Sequence, residues 1–148
     1  NICRFTGHVR TFYSVAEHSL RASAHAPDHL KLALLLHDAS EAYLCDIARP
    51  VKHAPGMEIY RQAEQQLQVL IGHKFGVVFT DPLIHDIDNS MLMTERRDLM
   101  PPHTTPWVGK WAIDSEGAYD ERIFPISPRA AEMTFLSRFD LLQKISIA

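Results

Sequence analysis

The sequence predicts an all-α fold: a single domain, residues 1–148, with about five to seven helices and a long proline-rich loop. The length of 148 residues and the hydrophobic share of 46% suit one well-formed core. Several segments place apolar residues at helical spacing, and none shows the convincing period-2 alternation of a strand. Signals that start helices, such as Ser or Asp followed by Glu or Pro, precede these segments.

The composition argues against several classes of protein. A formal net charge of -3 gives no electrostatic footprint for duplex nucleic acid or an anionic membrane surface. No apolar run approaches the roughly 20 residues of a membrane-spanning helix, and the first residues do not resemble a signal peptide. Cys3 and Cys45 form no CxxC pair, so we expect a reduced, cytoplasmic setting. Because the chain begins with Asn1 rather than Met, we expect a short segment to precede it.

Local signals place the first two helices. Ser14 and Glu17 form a capping box, which predicts a helix from Val15 to about His25. The next segment, APDHL, interrupts the chain. Its aspartate, Asp28, is a suitable N-cap for a second helix, which we expect to continue to about residue 44.

The rest of the chain alternates breaks and helices. Arg49-Pro50 and Pro55-Gly56 predict an irregular stretch, and MEIYRQAEQQLQVLIGHKFG predicts an amphipathic helix that ends at Gly76. Asp81-Pro82 opens a helix through about residue 100. The proline-rich segment 101–128 predicts a loop or insertion, and Ser127-Pro128 starts a last helix that ends near residue 145.

Polar residues lie on the apolar face of the second predicted helix. On a helical wheel, His37 and Glu41 are centred on the stripe that also carries Leu30 and Leu34, and Asp38 lies at its edge. Burying an acid there without a partner is costly. Either these side chains form a structural hydrogen-bond network or they form a functional site, and this helix alone does not distinguish the two.

The helix that follows Asp81 also carries acids on its inward arc. With Ile84 as the origin, Asp88 points inward, whereas His85 and Asp86 fall on the outward arc, which we interpret as solvated surface. That outward arc also includes Asn89 and Met93. The other members of the inward arc are Ile87, Met91, Glu95, Asp98 and Leu99.

Four candidate metal ligands emerge on three helices. His18 lies at the margin of the first helix's apolar face, with His25 on the same side two turns later; for either histidine alone, an ordinary partly buried or surface position is the commoner explanation. Two imidazoles and two carboxylates suit a divalent transition metal such as Mn, Fe, Co, Ni or Zn. An inward Glu41 beside them can act as general acid or base. The ligand set is His18, His37, Asp38 and Asp88.

Three quoted segments carry a resemblance to a known family. RTFYSVAEHSL, LLLHDASEAYLCDIARPVKH and IHDIDNSMLMTERRDLM, spread over the first hundred residues, resemble the HD-domain metal-dependent phosphohydrolases. The similarity is to the bacterial 5′-deoxynucleotidases and to related phage enzymes, some of which are dATP triphosphohydrolases. The resemblance implies an HD-domain helical bundle, and it implies the same four metal ligands.

The resemblance also implies the roles of further residues. Arg4 matches a phosphate-binding arginine and Glu41 matches the residue that handles the attacking water. Phe5 stands where an aromatic residue packs near the sugar or base. Asp46 matches an aspartate that contacts the sugar hydroxyl, and Lys52 ends the same motif as a candidate phosphate ligand. Arg4, Phe5, Asp46 and Lys52 each have an ordinary alternative, which is respectively a surface arginine, a core phenylalanine, a cap on a helix end or the following turn, and a solvated lysine.

The implied function is hydrolysis of 2′-deoxynucleotides at the 5′-phosphate by a cytoplasmic, metal-dependent enzyme. The metal would be Mn, Co, Zn, Fe or Mg, and the products would be a deoxynucleoside with either phosphate or triphosphate. Ala42 after Glu41 departs from the H-D-x-x-E-D pattern of guanosine tetraphosphate hydrolases. The alternatives are a non-catalytic, metal-binding HD regulatory module and a purely structural helical domain. The resemblance implies a homo-oligomer, a dimer or hexamer, with no stable nucleic-acid partner and no membrane.

Overall fold

The computed structural model describes residues 2–102 and 117–147, and within these ranges the protein is an all-α bundle, as the sequence predicts. No sheet forms among the described residues, where the β pairing is an isolated antiparallel bridge between Cys3 and Ser14. Short 3₁₀ helices span Arg4–Gly7 and Asp28–Leu30. The α-helices are α1 Val15–His25, α2 Lys31–Leu36, α3 Glu41–Leu44, α4 Arg49–Lys52, α5 Glu58–Phe75, α6 Pro82–Leu99 and α7 Pro128–Ile147.

The predicted bounds of α1 are confirmed, and its capping residues explain them. Ser14 adopts an extended backbone, and its hydroxyl accepts a hydrogen bond from the Glu17 N–H at 3.0 Å. The Glu17 carboxylate accepts hydrogen bonds from Arg21 at 2.8 Å and from the Ile126 N–H at 3.0 Å. The same residue therefore helps to start α1 and fastens the segment before α7 against it.

The second predicted helix is not continuous, which corrects the expectation of one helix up to residue 44. After α2, residues 37–40 form a tight turn, in which Ala39 N–H donates to Leu36 O and Glu41 N–H donates to Asp38 O. The Gln68 amide donates to His37 O at 2.7 Å, so a carbonyl at the end of α2 is satisfied by α5. Likewise, residues 49–52, which we expected to be irregular, form the short helix α4 with Pro50 in its first turn.

The later helices begin and end at the predicted signals. Gly76 takes a left-handed conformation, with φ of 67°, directly after α5. The Asp81 carboxylate accepts from Leu83 N–H at the start of α6, and the Ser127 hydroxyl accepts from Ala130 N–H at the start of α7. In the predicted loop, residues 118–127 form neither helix nor strand. Residues 103–116, with Trp107 and Trp111, lie outside the described residues.

Two apolar clusters share α2 and position the site between them. One joins α1, α2 and α6 through residues such as Ala22, Leu34 and Met91, and the other joins α2 to α5 and α7 through Leu35 and Ile71.

Within the described residues, no helix is both long and apolar enough to cross a membrane. One helical-wheel expectation is wrong: Met93, assigned to the outward arc of α6, is buried, as are its neighbours from Met91 to Glu95.

Candidate metal centre

Four predicted side chains converge where α1, the turn after α2, and α6 meet. The Nε2 atoms of His18 and His37 are 3.2 Å apart. The Asp38 carboxylate lies 3.4 Å from His18 Nε2 and 3.3 Å from His37 Nε2. The Asp88 carboxylate lies 3.2 Å and 3.7 Å from the same two atoms. We call His18, His37, Asp38 and Asp88 the ligand cluster.

The spacing of three of these side chains suits the ligand shell of one ion. His18, His37 and Asp38 form a group that can hold a metal ion. The usual bond length from a divalent transition metal to nitrogen or oxygen is about 2.0–2.2 Å, so ligand atoms that lie 3.2–3.4 Å apart, as these do, can share one ion. Asp88 does not belong to that group, although its carboxylate lies 3.2 and 3.7 Å from the two histidine Nε2 atoms.

Hydrogen bonds orient both imidazoles with Nε2 towards the cluster. His37 Nδ1 donates to the Leu34 carbonyl oxygen at 2.7 Å, because a carbonyl can only accept. His18 Nδ1 donates to the Glu95 carboxylate at 2.6 Å. In the neutral tautomers that these bonds select, each Nε2 carries a lone pair. Acceptor atoms therefore face one another, an arrangement that requires protons or a cation among them.

Glu95 is a residue of the site to which sequence reasoning gave no role. It lies on the inward arc of α6 and is completely buried, where it binds His18 Nδ1 and Arg4 Nε, the latter at 2.8 Å. His18 itself is fully buried, which corrects its expected position at the margin of α1. The available signal was the inward acid one turn after Met91, but its partners lie 77 and 91 positions away in sequence.

The buried histidines and carboxylates of the cluster stabilise one another's charges. Burial and the charge of Arg4 oppose protonation of His18, but the Glu95 and Asp88 carboxylates outweigh them and raise the His18 pKa to about 10. Burial opposes ionisation of Asp88, yet its hydrogen bonds to His18 and His37 hold the pKa of that carboxyl well below its usual range. Asp88 therefore keeps its negative charge and His18 attracts positive charge. The same negative surroundings favour a bound cation.

Arg4, the predicted phosphate ligand, is a buried member of the same network. Its Nε bonds Glu95 at 2.8 Å, and its two terminal nitrogens lie 3.3 Å from Asp38 and 3.5 Å from Asp88. Only 9% of its side chain is exposed. The guanidinium also lies 5.2 Å from the centre of the Phe5 ring. This burial argues against the alternative of a surface arginine near a frayed terminus.

Glu41 is buried at the start of α3, three residues after Asp38. One of its carboxylate oxygens, Oε2, is buried without a hydrogen-bond partner among the described residues. Burial, reinforced by the negative charges of Asp38 and Asp46, raises the pKa of Glu41 to about 9. An unsatisfied buried carboxylate oxygen is costly in a purely structural site, and it can accept a proton or a hydrogen bond from a small molecule.

The remaining predicted substrate residues lie in two places. Phe5 and Thr6 have left-handed backbones, with φ of 58° and 53°, and the Asp46 carboxylate holds this bend by accepting from Phe5 N–H at 2.6 Å. Asp46 therefore caps a turn 41 positions earlier in the chain, not the end of its own helix or the turn that follows it. Lys52 pairs with Glu64 on α5 at 2.6 Å rather than with the ligand cluster.

A second arginine, which the sequence analysis did not select, adjoins the cluster. Arg49, on α4, lies 3.4 Å from the outer oxygen of Asp88 and donates to Asn89 at 3.2 Å.

A cleft of about 470 Å³ opens beside the cluster, between the start of α6 and the exposed side of α5. His37, Asp38 and Asp88 line it, together with residues that include Glu64, Gln68 and Phe79. The site is thus accessible to a small molecule.

Comparison with known proteins identifies relatives. The chain is 35% identical to the "Uncharacterized protein YfdR" of Escherichia coli (strain K12) over 147 residues, which cover 98% of this chain and 80% of YfdR. An uncharacterized protein of Rhodobacter capsulatus is 40% identical over 72 residues, which cover 44% of this chain and 36% of that protein. No protein-family model matches the chain. Because the similarity to YfdR covers 98% of this chain and 80% of YfdR, the chain belongs to the YfdR family.

Proposed function

We propose that this protein is an HD-type, metal-dependent phosphohydrolase that acts on 2′-deoxynucleotides at the 5′-phosphate and releases the deoxynucleoside. The observation that carries the proposal is the convergence of His18, His37 and Asp38 at the spacing of one ion's ligands, with the Asp88 carboxylate 3.2 Å from His18 Nε2. The choice of a deoxynucleotide rests on the resemblance of the quoted motifs to HD-domain nucleotidases. Phosphate and triphosphate remain equally supported as the leaving product.

The ligand cluster has the chemistry to hold a divalent cation such as Mn, Co, Zn, Fe or Mg. The ligand cluster provides two imidazole nitrogens and two carboxylate oxygens. Each imidazole donates its Nδ1 proton to an oxygen that orients the ring, as is usual for metal-binding histidines. When bound, the cation supplies Lewis acidity to a phosphoryl oxygen and makes water easier to deprotonate. Four protein ligands leave positions open on a six-coordinate ion.

Glu41 is the residue that we assign to the attacking water. Its Oε2 is buried and has no partner among the described residues. The raised pKa keeps Glu41 protonated near neutral pH, and a cation bound beside it would favour the ionised carboxylate, which can accept a hydrogen bond from water and then its proton. It follows Asp38 by three residues and its N–H donates to Asp38 O, which fixes it beside the cluster. A structural metal site would have no need of this oxygen, so Glu41 supports catalysis over a regulatory module.

The resemblance assigns Arg4, Phe5, Asp46 and Lys52 to the substrate, and their contacts support these roles to different degrees. Arg4 places a fixed positive charge between Asp38 and Asp88, where negative charge develops during phosphoryl transfer. Phe5 offers a half-buried aromatic face, and Asp46 holds the backbone of Phe5. Lys52 is held by Glu64 and is the weakest of the substrate assignments.

A product assay tests this function. Purified protein with Mn²⁺ or Co²⁺ is incubated with each deoxynucleoside mono- and triphosphate and with ribonucleotide controls, and the products are separated by chromatography. We expect deoxynucleoside release by the wild type, none by Asp38→Ala, and a loss of at least about 100-fold in Glu41→Gln with metal binding retained. Asp86→Ala, an exposed aspartate in the second His-Asp dipeptide, is the matched control. Metal binding without turnover of any nucleotide would instead favour the regulatory module.

A further inference from the structure

We propose that Arg49 is the residue that contacts the phosphate group of the substrate directly, whereas Arg4 balances charge within the ligand cluster. This inference rests on the proposed function and assigns a ligand-contacting role to a residue that the resemblance did not select. It follows from a comparison of the cations around the cluster: how exposed each is, and how firmly its nitrogens are already bound.

Arg4 is poorly suited to direct contact with an incoming anion. All three of its nitrogens face carboxylates, at 2.8, 3.3 and 3.5 Å, and its side chain is 9% exposed. Glu95, which holds its Nε, is completely buried and also holds His18. Moving the guanidinium towards a ligand would leave a buried carboxylate without its partner, which costs far more than a surface contact returns.

The other nearby cations also have firm partners. Lys52 lies 2.6 Å from Glu64 and is 19% exposed. Arg61, on the cleft wall, donates to the Lys52 carbonyl at 2.8 Å and lies 3.3 Å from Glu58. The Arg61–Lys52 contact ties α4 to the start of α5, and the Arg61–Glu58 contact lies within α5. These two side chains therefore stabilise the connection between the helices.

Arg49 is more exposed than Arg4 and Lys52, and its contacts are longer than the 2.8 Å hydrogen bond that holds Arg61. Its side chain is 36% exposed, and its hydrogen bonds to Asn89 and Asp88 are 3.2 and 3.4 Å long, at or beyond the usual upper limit for N–H···O bonds. Such contacts are easily exchanged for the shorter, charge-assisted bonds that a guanidinium forms with phosphate oxygens. Arg49 therefore has donors available at little cost.

The position of Arg49 places those donors beside Asp88, one of the two partly exposed residues of the ligand cluster. The exposed part of the ligand cluster consists mainly of Asp38 and Asp88, at 19% and 17%, whereas His18 is fully buried. Arg49 touches the outer oxygen of Asp88, while the inner oxygen of Asp88 faces the histidines. An anion that reaches the cluster from solvent on the Asp88 side thus meets the Arg49 guanidinium.

Phosphate binding to the Mn²⁺-loaded protein tests the proposal without requiring turnover. Inorganic phosphate is the probe, and the enhancement of its ³¹P relaxation by Mn²⁺ reports binding at the cluster. We expect Arg49→Gln to weaken phosphate binding by about 10- to 100-fold. Arg129→Gln, which removes an exposed arginine on α7, is the matched control and should bind phosphate as the wild type does. The Mn²⁺ affinity of every variant is measured in the absence of phosphate.

The outcomes separate this inference from the proposed function. Weaker phosphate binding by Arg49→Gln, with Mn²⁺ affinity retained, supports the inference even if no nucleotide is hydrolysed. Wild-type phosphate binding by Arg49→Gln overturns it, as does a wild type that binds Mn²⁺ but no phosphate. A parallel loss of Mn²⁺ affinity also overturns it, because Arg49 would then act through Asp88.

Discussion

The imidazoles of His18 and His37 face each other with their Nε2 atoms 3.2 Å apart, and each ring donates its Nδ1 proton away from the other. His18 donates to the Glu95 carboxylate, and His37 donates to the Leu34 carbonyl at the end of α2. Two unprotonated nitrogens repel each other at this distance, so the pair requires either a proton on one of them or a cation beside both. The carboxylates of Asp38 and Asp88 add further negative charge around the same point.

Glu95→Gln is expected to weaken binding of the metal while leaving the fold intact. Glutamine has nearly the same shape and can still accept a hydrogen bond from His18, but it removes the negative charge that raises the basicity of the ring. The expected loss of Mn²⁺ or Zn²⁺ affinity is about 10- to 100-fold, measured by calorimetric titration. Glu132→Gln, an exposed glutamate on α7, is the control. Equal affinities of Glu95→Gln and wild type would show that the Glu95–His18 bond does not support the site.

Addition of metal should raise the melting temperature, and a chelator should reverse the effect. A ligand that binds only the folded state stabilises it by about 2.7 kcal/mol at 100 times its Kd, which corresponds to roughly 5–10 °C for a chain of this size. Asp88→Asn should lose most of this shift. Asp86→Asn, two residues earlier on the same helix but exposed, should retain it. A shift of the same size in both variants would exclude Asp88 as a ligand.

Asp98 should make stability fall in acid, independently of the metal. Its hydrogen bond with Arg97, followed by those from the Ile123 N–H and Arg122, holds the pKa of this carboxyl well below its usual range. Because the pKa of Asp98 is lower in the folded state than in the unfolded state, its ionised form stabilises the fold. This stabilisation is complete above the unfolded-state pKa of about 3.9 and is lost as the pH falls below it. Urea unfolding should therefore show wild type more stable than Asp98→Asn at pH 7, by a margin that shrinks at pH 3.

The control for that comparison is Asp140→Asn, which removes an exposed aspartate of α7. It should change the free energy of unfolding little at either pH. If the difference between wild type and Asp98→Asn were the same at pH 7 and pH 3, the ionised form of Asp98 would not be the source of its contribution.

Gly72→Ala is expected to destabilise the protein although alanine favours helices. A Cβ atom at this position in α5 would lie 2.8 Å from the Val77 carbonyl oxygen and 3.5 Å from the Phe79 ring. The backbone after α5 would have to shift, at a cost of roughly 1–3 kcal/mol. Gln66→Ala, at an exposed position of the same helix, is the control in thermal or urea unfolding. An unchanged or raised stability of Gly72→Ala would mean that this segment moves freely.

The parts of the fold that local chemistry decides were predictable from sequence. Ser14, Asp81 and Gly76 act on backbone groups within a few residues, and the helices begin or end beside them. The turn at residues 37–40 was not predictable, because Gln68 satisfies the His37 carbonyl from 31 positions away. Met93 was misassigned because a helical wheel assumes one buried face, whereas α6 is buried on all sides from Met91 to Glu95.

The candidate site was predictable in its residues but not in its connections. His37 and Asp88 could be placed on inward faces, since periodicity reports burial. That periodicity also put Glu95 inward, but nothing local indicated that it binds both His18 and Arg4. Arg49 gave no signal at all, because it belongs to a four-residue helix and its side chain reaches Asp88 from 39 positions away in sequence.

The measurement that tests the account most directly is Mn²⁺ binding, followed by electron paramagnetic resonance, in proteins that lose one or the other His-Asp dipeptide. The wild type and the His85→Ala/Asp86→Ala variant should each bind one Mn²⁺ per chain. The His37→Ala/Asp38→Ala variant, with its helical content checked by circular dichroism, should bind none at the same concentrations. Equal binding by the two double variants, or no binding by the wild type with any of the candidate metals, would contradict a metal centre at His18, His37, Asp38 and Asp88.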